Sequence, residues 1–193
     1  MSEEIEIEFK NLLTEKEYQT LLYSFNATEN ELFTQINSYF DTPDWDLKKL
    51  HAGLRIRLLP DSAELTLKTP FENHLLETTD SLSLMEAEKL ISDGKIKAEG
   101  AVGAKLKSLN ISPERLRLLG TLKTTRFERQ TSQGLFVLDK SYYGNEVDYE
   151  LEFEVPDYSI GKIHFDNFLE KHQIPLRPAK NKIARMIDAT FKK

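Results

Sequence analysis

The chain has 193 residues, with 26 lysines and arginines against 32 aspartates and glutamates, a formal net charge of −6. Its 30% charged and 39% hydrophobic content is that of a soluble globular protein long enough to bury a sizeable core, and the acidic balance argues against a general nucleic-acid binder. Cysteine is absent, which excludes disulfides, thiol catalysis, zinc–thiolate sites and iron–sulfur clusters.

The opening Met1-Ser2-Glu3-Glu4 has neither the basic nor the apolar region of a signal peptide. No apolar run approaches the roughly 20 residues of a membrane helix. A soluble cytoplasmic protein without membrane partners is expected. In chain order, residues 3–10 (EEIEIEFK) alternate with period 2 and predict a strand. Thr14-Glu15-Lys16-Glu17 is a capping-box pattern opening a helix to about Tyr23. Strands follow over 35–41, 53–59 and 63–69, the last two separated by the turn-like Pro60-Asp61-Ser62, with a short strand near 73–78. Ser83-Leu84-Met85-Glu86 starts a helix that Gly94 can stop. Ser112-Pro113-Glu114 predicts a short helix ending near Gly120. Strands return over 121–130, 134–140 and 147–155. A helix over 159–172 and another from Ala179 to about Phe191 close the chain. Grouped strands with helices inserted between them favour an antiparallel α+β architecture in one continuous domain, residues 1–193.

The alternation also sorts charge. Alternate strand residues share a face, so Glu4, Glu6, Glu8 and Lys10 oppose Ile5, Ile7 and Phe9. Likewise Asp148, Glu150, Glu152 and Glu154 oppose Tyr149, Leu151 and Phe153. Arg55 and Arg57 share a face, as do Glu64, Thr66 and Lys68, and as do Thr124, Arg126 and Glu128. A sheet with one wet face gives such alternation, but rows of uncompensated like charges destabilise a sheet unless something cationic lies among them. Divalent Mg²⁺ or Mn²⁺ suits carboxylates, and paired Arg and Lys suit phosphate oxygens. If helices cover the apolar face of a closed sheet, the charged face lines a cavity able to hold a polyanion with its metal ions.

Glu6-Ile7-Glu8-Phe9-Lys10 matches the ExExK signature of the CYTH, or triphosphate tunnel metalloenzyme, superfamily. The resemblance continues in order through Arg55-Ile56-Arg57, Leu65-Thr66-Leu67-Lys68, Arg126, Asp139, Glu150-Leu151-Glu152-Phe153-Glu154 and Pro178-Ala179-Lys180. The chain is most similar to the Bacillus-type branch labelled adenylate cyclase or triphosphatase. The resemblance implies an eight-stranded antiparallel β-barrel, a tunnel with a charged interior and helices outside. It implies Mg²⁺ or Mn²⁺ held by Glu6, Glu8, Glu152 and Glu154, with Glu150 an alternative ligand. It implies a triphosphate gripped by Lys10, Arg55, Arg57, Lys68, Arg126 and Lys180, Lys182 competing for the last role. Glu128 and Asp139 are the further acids near metal or water and the candidate catalytic groups.

The activity implied is metal-dependent hydrolysis of inorganic triphosphate or a nucleoside triphosphate. A class IV-type adenylate cyclase and a non-catalytic triphosphate or polyphosphate binder are the alternatives. The partner implied is a small-molecule triphosphate, and the sequence is compatible with a homodimer. The four histidines show no ligand spacing, Trp45 follows a loop-like stretch, and Tyr39-Phe40-Asp41-Thr42 resembles a family segment of undefined role. Gly100-Ala101-Val102-Gly103-Ala104-Lys105 lacks the GxxxxGK[ST] spacing of a phosphate loop, and no serine lies in a GxSxG context.

Overall fold

A computed structural model describes residues 2–191. In chain order it contains β1 (Ser2–Glu6), β2 (Glu8–Leu13), α1 (Glu15–Ser24), β3 (Phe33–Asp41), α2 (Asp46–Lys49), β4 (Gly53–Leu58), β5 (Ala63–Phe71) and β6 (His74–Leu82). There follow α3 (Leu84–Ser92), α4 (Ala101–Ser108), β7 (Arg117–Gln130), β8 (Leu135–Tyr143), β9 (Glu146–Glu154), α5 (Tyr158–Lys171) and α6 (Lys182–Phe191). Single 3₁₀ turns occupy Glu29–Glu31 and Pro113–Arg115. The chain forms two compact units: the residues up to Glu6 with Gln35–Leu122, and Ile7–Thr34 with the residues from Lys123 on.

In the first unit the strands run in the order β1-β6-β5-β4-β3, each antiparallel to its neighbour. Phe40, Leu54, Ile56, Leu65 and Leu67 leave one face of these strands and pack under Leu47 of α2, Ala87 of α3 and Val102 and Leu106 of α4. In the second unit the order is β7-β8-β9-β2, again antiparallel. Phe9, Phe127, Phe136, Leu138, Leu151 and Phe153 pack under Tyr18 and Leu21 of α1 and Phe165 and Leu169 of α5. Each unit therefore has helices on its apolar face and charged side chains on the other, the α+β arrangement the alternation predicts.

The structure departs from the sequence reading in several places. The described residues hold nine strands, where eight were implied. The segment 3–10 is two strands, because its halves pair with different neighbours: β1 with β6, and β2 with β9. Ile7 lies between them and its carbonyl accepts from the Val155 amide at 2.9 Å. The short strand near 73–78 is nine residues long, held in register with β5 from Ala63↔Leu82 to Phe71↔His74. The helix expected after Ser112 is only a 3₁₀ turn, because β7 already begins at Arg117.

The glycine-bearing stretch near residue 100 is the start of α4. Asp80 accepts from the amides of Ala101 (3.0 Å) and Val102 (2.9 Å), and a Cβ on Gly100, at φ 103°, would collide with that carboxylate. The Tyr39-Phe40-Asp41-Thr42 segment organises the next turn. Phe40 enters the core, while Asp41 accepts from the amides of Thr42 (2.7 Å), Leu47 (2.9 Å) and Lys48 (3.1 Å), anchoring α2. Trp45 adopts a left-handed φ of 60° before that helix, and the Lys48 ammonium lies 5.0 Å from its ring. The amphipathic capping box at Thr14 forms as predicted, with Thr14 and Glu17 exchanging side-chain–backbone hydrogen bonds.

Candidate functional site

In the first unit, β4 presents Arg55 and Arg57 between the partners that register supplies. Arg57 lies opposite Asn37 on β3 and Glu64 on β5, and Arg55 opposite Tyr39 and Thr66. Arg57 Nε donates to Asn37 Oδ1 at 2.9 Å, and its Nη1 lies 3.5 Å from Glu64 Oε1. Arg55 Nη2 is 3.9 Å from the same Glu64 oxygen. Lys68 of β5 donates to both Glu6 oxygens, at 2.7 and 2.6 Å, and pairs with Glu77, opposite it on β6. Burial would raise the Glu77 carboxyl, but Lys68 and the two arginines hold it below the ordinary glutamate range.

The second unit carries a denser cluster, built mainly on β7, β8 and β9. Register sets Arg126 opposite Asp139, Asp139 opposite Glu150, and Lys10 of β2 opposite Glu152. Arg126 grips Asp139 with two donors, Nε to Oδ1 at 2.8 Å and Nη2 to Oδ2 at 2.6 Å, and Nη2 also reaches Glu152 Oε2 at 3.0 Å. Its Nη1 is 3.5 Å from the half-exposed Glu128. Lys10 Nζ lies 2.7 Å from Glu8 and 3.4 Å from Glu152.

Helix α6 supplies two further cations. Lys182 Nζ lies 2.9 Å from Asp139, 2.5 Å from Glu150 and 2.5 Å from Glu152. Arg185, one turn along, donates to Glu150 at 2.8 and 3.3 Å and lies 3.2 Å from Asp148.

These partners decide the ionisation. Burial alone would neutralise the carboxyls of Asp139 and Glu152 and the ammonium of Lys182. Instead Arg126 and Lys182 hold Asp139 below its ordinary value. Lys182, Lys10 and Arg126 hold Glu152 well below its own. Reciprocally, Asp139, Glu152 and Glu150 keep Lys182 charged against its desolvation, and Glu152 and Glu8 do the same for Lys10. Asp148 differs: burial raises it, with Arg185 and the Tyr143 hydroxyl opposing.

Asp139, Glu150 and Glu152 each offer a carboxylate oxygen, all within 4.8 Å of one another. An all-carboxylate donor set suits a hard divalent cation, and the Lys182 ammonium at its centre shows that the cluster accommodates positive charge there. The residues therefore fit a divalent metal ion. Of the four expected metal ligands, only Glu152 belongs to this triad. Glu8 pairs with Lys10 on β2 and faces Glu154 in register, while Glu6 is on β1 with Lys68. Lys180 stands apart, largely exposed and paired with Asp188 at 2.8 Å, and it is Lys182 that reaches the acids. Arg185 was missed by the sequence reading. Its signal was the i, i+3 spacing from Lys182, which puts two cations on one side of a helix. Asn37, which orients Arg57, was legible only as the alternate residue between Gln35 and Tyr39.

An ordered array of arginines, lysines and carboxylates on antiparallel strands is the signature of a polyanion-and-metal protein class, and comparison with known proteins agrees. A CYTH domain match covers residues 4–187, and the chain belongs to the CYTH family. It is 43% identical over 188 residues to "Putative triphosphatase YjbK" of Bacillus subtilis (strain 168), covering 97% of each chain. A solved Bacillus halodurans structure, described as a putative adenylate cyclase, is 36% identical with a TM-score of 0.91, covering 96% of this chain and 98% of that one. A Hippeastrum structure, described as a putative adenylyl cyclase that reveals a dominant triphosphatase activity, shares the fold at 20% identity. Its TM-score is 0.76 over 96% of this chain and 95% of that one. No described helix is long and apolar enough to cross a membrane.

Proposed function

We propose that the chain, acting as one domain over residues 1–193, hydrolyses the terminal phosphoanhydride bond of inorganic triphosphate or a nucleoside triphosphate. The observation that carries this reading is the second unit's cluster, where Lys10, Arg126, Lys182 and Arg185 interleave with Asp139, Glu150 and Glu152. Every one of these cations is now held by carboxylates. A polyphosphate offers the same donors better-matched oxygens, and the acids so released are a divalent-cation set. Mg²⁺ or Mn²⁺ held by Asp139, Glu150 and Glu152, with Glu8 and Glu154 as further acids, would neutralise phosphate charge and lower the pKa of water.

The protein's own groups then have separable tasks. Arg126 and Lys10 donate to phosphate oxygens, on which charge must be stabilised as the terminal phosphoryl group is transferred, and Arg55, Arg57 and Lys68 are donors of the same kind in the first unit. Water adds its oxygen to the terminal phosphorus, the bridging P–O bond breaks, and diphosphate or a nucleoside diphosphate leaves with phosphate as the second product. Asp139, paired with both Arg126 and Lys182 and with its pKa lowered by them against burial, is suited to holding a cation rather than to accepting a proton. Glu128, half-exposed and only loosely tied to Arg126, is the better placed acid for orienting water. Lys182 takes the basic C-terminal role in preference to Lys180.

The test is phosphate and diphosphate release from inorganic triphosphate and from ATP, with Mg²⁺ and with Mn²⁺. Metal-dependent phosphate release from triphosphate is expected, reduced at least about a hundredfold in Glu152→Gln and Arg57→Ala. The description of the Bacillus halodurans relative supports a cyclase as the second reading. Cyclic AMP with stoichiometric diphosphate from ATP would establish it, and binding without turnover of either substrate would leave a triphosphate binder.

A further inference from the structure

The charged face of the first unit contains a residue with no structural account. Gln35 lies at the start of β3, is 1% exposed, and neither its carboxamide oxygen nor its nitrogen has a hydrogen-bond partner. Leaving both ends of a buried amide unsatisfied is costly, and an apolar residue of the same size would avoid the cost. Alternation puts Gln35 on the same strand face as Asn37 and Tyr39, the residues opposite Arg57 and Arg55. It stands one row beyond Asn37, about 7 Å along the strand. A second unsatisfied group occurs on the same face: the buried Nε–H of Arg55 has no acceptor, whereas that of Arg57 is committed to Asn37. Two orphaned polar groups flanking an oriented guanidinium describe a surface arranged for an oxygen-rich ligand.

We infer that Gln35 is a substrate-contacting residue that extends the Arg55–Arg57 row, an assignment that rests on the proposed function. Its amide N–H groups donate to a phosphate oxygen of the polyphosphate. Its carbonyl, which a bare phosphate would repel, accepts from a water or a protonated phosphate oxygen. An uncharged donor–acceptor at this point distinguishes the end of the anion, where water or a hydroxyl meets it, from the fully charged stretch beside the arginines.

The experiment uses Gln35→Met, similar in length and without hydrogen-bonding atoms, and inorganic triphosphate with Mg²⁺ as the probe. Without triphosphate, Gln35→Met is expected to melt at or above the wild-type temperature, because the unsatisfied amide is gone. With triphosphate, its ligand-induced rise in Tm is expected to be less than half that of the wild type. Its kcat/KM is expected to fall about 10- to 100-fold, the range of one lost hydrogen bond to a charged group. A purely structural amide, or one satisfied by a buried water, would leave the triphosphate-induced shift unchanged, and that result overturns the assignment alone. A wild type that shows no triphosphate-induced shift overturns the proposed function and the assignment with it. Should Gln35→Met not fold, Gln35→Glu carries the same test, since it keeps the size but adds like charge against the anion.

Discussion

The charged faces of the two units are built from the same residue types and differ in how densely they are paired. In the second unit, Asp139 and Glu150 are fully buried and each is held by two cations. In the first unit Arg55 and Arg57 share Glu64 at 3.9 and 3.5 Å, and the Gln35 amide and the Arg55 Nε have no hydrogen-bond partner. The second face pairs its central carboxylates with several cations each and leaves orphaned atoms only at its margin, at Asp148 Oδ1 and Arg185 Nε, whereas the first face has them at Gln35 and Arg55. Burying ions without water costs several kcal/mol each, so the dense pairing of Asp139, Glu150 and Glu152 offsets the cost of keeping them charged without ligand. The looser first face is partly wet, with the Arg55, Arg57 and Lys68 side chains 14–20% exposed, and tolerates open valences.

The sharpest way to break this comparison is Arg126→Met. It strands the fully buried Asp139 with Lys182 alone and should cost about 3–5 kcal/mol in chemical denaturation. It should also move the acid limb. The depressed pKa values of Asp139 and Glu152 contribute stability that is present above the ordinary carboxylate range and lost as pH falls through the lower folded values. The raised value of Lys182 contributes stability that is complete below the ordinary lysine range and lost only as pH rises above it. Wild-type stability from this network is therefore flat between about pH 5 and pH 10. In Arg126→Met the acid loss should begin at higher pH than in the wild type. An unchanged acid limb would mean that Asp139 is not held by Arg126.

Lys182→Met tests the triad more selectively. Three carboxylates within 4.8 Å lose their shared cation, at an expected cost of about 2–3 kcal/mol. Millimolar Mn²⁺ should restore much of that loss, because the vacated position is one a divalent cation can take. A variant that stays destabilised in Mn²⁺ would remove the triad from the list of metal sites. Lys68→Met is the counterpart in the first unit. Glu6 and Glu77 remain partly solvated without it, so about 1–2 kcal/mol is expected. A loss as large as that of Arg126→Met would erase the difference between the two faces.

Much of this was legible in the sequence because period-2 alternation fixes which residues share a face. Glu152, Arg126, Asp139, Arg55, Arg57 and Lys68 were all identified on that ground or by the family resemblance. Two kinds of information were not legible. Register was one: Glu6 and Glu8 look like neighbours on one strand, but β1 and β2 take different partners, so Lys68 holds the first and Lys10 the second. Helix docking was the other. Lys180 and Lys182 are indistinguishable by composition, and only the position of α6 makes Lys182 the cation among the acids. The Asp41 and Asp80 carboxylates likewise read as charged residues in the sequence and act as anchors for backbone amides in the fold.

The smallest expected effect supplies the control for the larger ones. Thr14 caps α1 in the second unit, accepting from the Glu17 amide at 3.2 Å while Glu17 accepts from the Thr14 amide at 2.7 Å. Glu17 is also gripped by Arg177 at 2.8 and 2.9 Å, so its carboxyl stays oriented when Thr14 is truncated. Thr14→Ala should therefore cost about 1 kcal/mol, the usual loss of an N-cap. Because the cap is exposed and contains no carboxylate cluster, Mn²⁺ should not recover any of it. Equal recovery of Thr14→Ala and Lys182→Met by Mn²⁺ would show a general effect of the ion on the fold. Recovery of Lys182→Met alone would locate the cation at Asp139, Glu150 and Glu152.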